Sequence, residues 1–133
     1  MIKEVPTETR VKVKRVRAKS LLHEFSSHTL PVTSLAFSPS NGVSFHTLAS
    51  TSLDEKVALH IFSREISMFQ ELEKKKEVLL FKRNKVPLNC AFDPGGAVLR
   101  ILEETYAGDT EISFLFREGD GSWIQWPSEG ALL

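Results

Sequence analysis

The chain has 133 residues, 41% apolar and 26% charged, with 17 basic and 17 acidic side chains in balance, a composition that suits one globular domain with a real core. No apolar run nears the roughly 18 residues of a membrane helix, the basic and polar start gives no reason to expect a secretory leader, and the single cysteine, Cys90, excludes an internal disulfide framework. The zero net charge hides a gradient: residues 1–20 carry Lys3, Arg10, Lys12, Lys14, Arg15, Arg17 and Lys19 against Glu4 and Glu8, whereas residues 100–133 carry Arg100 and Arg117 against seven acids.

The first element in chain order is a basic arm, residues 1–20. The alternation of Val11 and Val13 reads as an edge strand whose Lys and Arg discourage aggregation. Two other readings stay open for Lys12, Lys14, Arg15, Arg17 and Lys19: a nuclear localisation or phosphate-contacting patch, and a solvated tail. No aromatic residue interleaves the arm, so base stacking is unsupported.

A first unit occupies residues 21–82. Val32 to Phe37 alternate as a strand that Pro39 and Asn41-Gly42 terminate. Thr47 to Thr51 form a second strand, and Leu53-Asp54-Glu55-Lys56 a turn, because Asp bonds its own backbone two residues on. Val57 to Phe62 give a third strand and Lys76 to Phe81 a fourth. Between them, Ile66, Phe69 and Leu72 at helical spacing predict a short charged helical insertion over 64–77. A second unit, 83–133, has strands at Leu88 to Phe92, Val98 to Tyr106, Glu111 to Phe116 and Ser122 to Trp126, the last after a Gly119-Asp120-Gly121 turn.

These units repeat each other. Sliding the sequence by 55 positions puts Phe37-Ser38-Pro39 on Phe92-Asp93-Pro94, Asp54 on Asp109, Val57 on Ile112, Leu59 on Phe114 and Ile61 on Phe116. Two ordered blocks at one spacing indicate a structural repeat, and four antiparallel strands per unit describe a propeller blade.

The residues that carry this repeat resemble the WD40 family: His28 followed by Val32-Thr33-Ser34-Leu35-Ala36-Phe37-Ser38-Pro39, then Leu48-Ala49-Ser50-Thr51-Ser52-Leu53-Asp54, then Val57-Ala58-Leu59. The resemblance implies a buried network of a histidine, a strand serine or threonine, a turn aspartate and a tryptophan within the blade. Its members here would be His28, Ser50 or Thr51, and Asp54, with Asp109 as the turn residue of the second unit. His60 stands where the tryptophan belongs, and Arg83 stands at the second histidine position.

A narrower similarity over about residues 26–126 is to the WD-repeat subunit of the Rix1 complex. It rests on His28-Thr29-Leu30-Pro31-Val32-Thr33, Ala49 to Asp54, and Val78-Leu79-Leu80-Phe81. It implies a nuclear scaffold that binds other Rix1-complex subunits and pre-60S particles in rRNA processing. The last blade of the Sec12-type exchange factor is also similar, but a membrane anchor should follow that blade and here another unit does.

Candidate chemistry is sparse. The four histidines lack metal-ligand spacing, and no carboxylates converge as an acid/base pair. Cys90 sits at an apolar strand position where a thiol is inert, and the Gly95-Gly96 and Gly119-Asp120-Gly121 turns lack the strand–loop–helix context of a phosphate cradle. Trp123 and Trp126 must face opposite sides of a strand, which makes one a core residue and the other an interaction anchor. The sequence therefore predicts an all-β partial WD40-type propeller of about two blades, a non-catalytic protein-binding scaffold without cofactor or metal.

Overall fold

The computed structural model describes residues 8–14, 21–39, 45–63 and 76–126, and among these every regular element is a β-strand. A two-stranded ribbon pairs β1 (Val11–Lys14) with β2 (Leu21–Phe25). A first four-stranded antiparallel sheet runs in sequence order through β3 (Val32–Phe37), β4 (Phe45–Ser52), β5 (Lys56–Ser63) and β6 (Lys76–Lys82). A second follows as β7 (Val86–Phe92), β8 (Val98–Glu104), β9 (Thr110–Arg117) and β10 (Trp123–Trp126). Each sheet is a simple meander, every strand pairing antiparallel with the next in the chain.

The three sheets are stacked, and period-2 alternation decides which residues lie between them. The front face of the first sheet packs Leu48 and Phe62 beneath Val11 and Phe25 of the ribbon. Its back face packs Ala49, Val57 and Leu59 against Cys90, Leu99, Ile101, Leu115 and Trp123 of the second sheet. Ala49, Val57, Leu59, Leu99, Ile101 and Leu115 are wholly buried there, so this inter-sheet layer is the main core. The sheets approach most closely along β3 and β7, where the Thr33 hydroxyl donates to the Pro87 carbonyl at 2.8 Å and the Ser34 hydroxyl to Asn89 Oδ1 at 2.8 Å.

The repeat is real in three dimensions, but its spacing is not uniform. Both inner strands carry a register shift at matching places, Val32/Ser34 in β3 and Pro87/Asn89 in β7, 55 residues apart. Ser50 pairs with Leu35 and Ala58, while Ile101 pairs with Cys90 and Ser113, so β4 and β8 are offset by 51. A longer β3–β4 connection in the first unit and a longer β8–β9 turn in the second cancel out, which restores the 55 offset at β9. A gapless alignment is thus correct for β3 and β5 and wrong for β4.

One sequence expectation is corrected. The helical insertion cannot extend over 64–77, because Lys76 and Glu77 open β6 and pair with Phe62 and Ile61; its remainder, 64–75, lies outside the described residues. Val11–Lys14, read from sequence as an edge strand, pairs antiparallel with Leu21–Phe25. Arg15, Arg17 and Lys19 lie outside the described residues.

Candidate functional site

The site is built around the turn between β4 and β5. Asp54 follows the strand end, and its carboxylate accepts the Lys56 and Thr29 N–H groups, each at 3.0 Å. It also meets His28 Nδ1 at 3.1 Å. His28 Nε2 lies 2.6 Å from Ser50 Oγ, and Ser50 Oγ lies 2.9 Å from His60 Nε2. One proton arrangement satisfies the chain: His28 Nδ1–H donates to Asp54, Ser50 O–H to His28, and His60 Nε2–H to Ser50. His28, Ser50 and His60 are buried, and the Phe25 ring of the ribbon lies tilted against the His60 ring, centroids 4.3 Å apart.

The structure thus brings His28, Ser50 and Asp54 together and adds His60. Thr51, the alternative to Ser50, points to the opposite face, where its hydroxyl meets that of Thr33 at 2.7 Å. Alternation along β4 makes the two mutually exclusive.

The second unit fills the same place with a different chemistry. Arg83 is buried and grips Glu103 with two bonds of 2.9 Å, from Nε to Oε2 and from Nη2 to Oε1. Its Nη1 donates to Gln125 Oε1 at 2.7 Å. Asp109 takes no part in this cluster: it is exposed in the β8–β9 turn, where its backbone N–H bonds Thr105 Oγ1. The four-residue-longer turn carries it away from the Arg83 pocket. Glu103 and Gln125 were not singled out by sequence; the signal was an arginine at a position that is buried in the first unit.

The tips of the two sheets are tied to one another. Glu55, at φ 67° in the left-handed region, accepts the Arg83 N–H on its carbonyl at 2.7 Å. Its carboxylate also accepts the Tyr106 hydroxyl, and Lys85 pairs with Glu111 beside it. Leu30, Leu53 and Tyr106 are exposed at this end, Tyr106 by 77%. They form an apolar fringe on a rigidly braced edge.

The other predicted residues are dispersed. Trp123 is buried edge-on to Phe92 at 6.3 Å, whereas Trp126 is half-exposed against Phe114 at 5.9 Å. Lys12 is exposed on the ribbon, and Lys14 ends β1. Cys90 lies in the inter-sheet core, and burial pushes its thiol up to about 11, opposed weakly by Ser34; at neutral pH such a thiol is protonated and unreactive. Among the described residues no group of three His, Cys, Asp or Glu side chains is arranged to hold a metal.

Fold and site together define an all-β protein of two stacked four-stranded antiparallel sheets with a buried histidine network under one turn. No protein-family model matches the chain, and no curated protein matches it.

Proposed function

We propose that the chain is a non-catalytic WD40-type scaffold built of two blade-like sheets, and that it serves large ribosomal subunit assembly in a Rix1-type complex. The scaffold reading is carried by the exposed apolar fringe of Leu30, Leu53 and Tyr106 on turns braced by the His28–Asp54 and Glu55 contacts. Apolar side chains held rigidly at a surface gain binding energy without a large ordering cost. The assembly role rests on the resemblance of His28 to Thr33, Ala49 to Asp54 and Val78 to Phe81.

Affinity purification of the tagged chain from nuclear extract, read by mass spectrometry, tests the role. Recovery of large-subunit assembly factors supports it; recovery of secretory-pathway proteins or of chaperones alone sinks it. Lys12, exposed on β1, favours a second contribution, sequence-blind contact with RNA phosphates. Neutralising Lys12, Lys14, Arg15 and Arg17 together would then flatten the salt dependence of RNA binding while protein partners are retained.

A further inference from the structure

The outer face of the second sheet is apolar and uncovered. Ile112, Ile124 and Trp126 are each about half exposed, Leu102 somewhat less. Phe114 stacks on Phe116 at 5.7 Å and leans on Trp126 at 5.9 Å. The matching face of the first sheet is fully buried by the second, through Ala49, Val57 and Leu59. The outer face is not a simple copy of that one, however. At the position of buried Ala49, offset by 51, the second sheet carries Arg100, exposed and without an ion pair among the described residues. A partner sheet that repeated the internal stacking would bury this guanidinium against apolar atoms at a large cost.

We propose that this face is the self-association surface of the protein, packing against the same face of a second copy about a two-fold axis that runs along β9. Strand order β10-β9-β8-β7 puts β8 and β10 on either side of β9. Arg100 and Trp126 both pair with Phe114, and Val98 and Ile124 both pair with Phe116. An axis along β9 therefore lays each Arg100 on Trp126 of the other copy and each Val98 on Ile124, while Phe114 and Phe116 meet their own counterparts. The unpaired guanidinium gains a cation–π partner, its stem covers apolar surface, and the interface is isologous, the usual way in which identical chains close a pair. An axis across the strands would instead oppose the two Arg100 charges. The other end of the stack is a poorer seat, because the ribbon that covers it exposes Lys12.

Sedimentation equilibrium of the full chain tests this. The expected mass is twice the 15.0 kDa of the chain, with Phe114→Asp and Trp126→Ala each weakening the dimer by more than about tenfold. Arg100→Ala should add little to Trp126→Ala, since both remove one contact. Leu35→Asp, an exposed apolar position on the opposite side of the stack, should leave the dimer intact. Circular dichroism on each variant separates lost assembly from lost folding. A monomeric wild type overturns the proposal, as does a dimer that survives Phe114→Asp and Trp126→Ala but falls to Leu35→Asp. Neither result bears on the ribosome-assembly reading, which stands or falls on the proteins recovered from extract.

Discussion

At the scale of single residues, the buried polar groups decide more than the apolar ones. Ser50 has an imidazole on either side, at 2.6 and 2.9 Å. Ser50→Ala removes the acceptor for one ring and the donor for the other, so urea denaturation should show a loss of about 2–4 kcal/mol. Arg83→Ala strands the Glu103 carboxylate, which is wholly buried; about 3–5 kcal/mol should be lost, and replacing both residues by apolar ones should restore much of it. Cys90 adds a pH dependence. Burial pushes its thiol from an ordinary 9.0 up to about 11 in the fold, so between those pH values the unfolded chain releases a proton that the folded one keeps. Stability from this group is complete below pH 9 and falls as pH rises towards 11, and alkaline denaturation curves of wild type and Cys90→Ala should diverge there. Alkylation at neutral pH should be slow until the protein unfolds.

At the scale of the element, alternation and turn chemistry made the strands legible. Val32 to Phe37 and Val57 to Phe62 alternate plainly, and the Asp54 and Gly119-Asp120-Gly121 turns mark where chains reverse. The insertion was drawn too far, over the first two residues of the strand that begins at Lys76, because charged residues at helical spacing carry no record of the neighbouring strand they pair with. The β1–β2 pairing was invisible for a similar reason: nothing local in Val11–Lys14 says which partner it takes. The Arg83–Glu103–Gln125 cluster was illegible because the 51-residue offset of β8 hides that Glu103 faces the core. That offset also yields a prediction. Ser113 is the counterpart of Ala58, and its buried hydroxyl has no hydrogen-bond partner among the described residues. Ser113→Ala should raise the urea midpoint by an amount worth about 1 kcal/mol; a lowered midpoint would show that the hydroxyl is satisfied after all.

At the scale of the whole molecule, two sheets and a ribbon share one continuous stack, with the apolar layer between the sheets as its main core. Contacts between them, from Thr33 to Pro87 and from Tyr106 to Glu55, tie the two units at both the inner edge and the tip. The same bracing holds Leu30, Leu53 and Tyr106 outward at the turn end, which is the surface the scaffold account depends on. Isolated surface substitutions there should change stability by less than about 0.5 kcal/mol, so binding can be probed without unfolding. The most direct test compares what the tagged chain and its Leu30→Asp/Leu53→Asp variant each recover from nuclear extract. The account predicts that the wild type retains a defined set of large-subunit assembly factors and that the variant, equally folded, loses it. Recovery of the same set by both, or of assembly factors by neither, would contradict it.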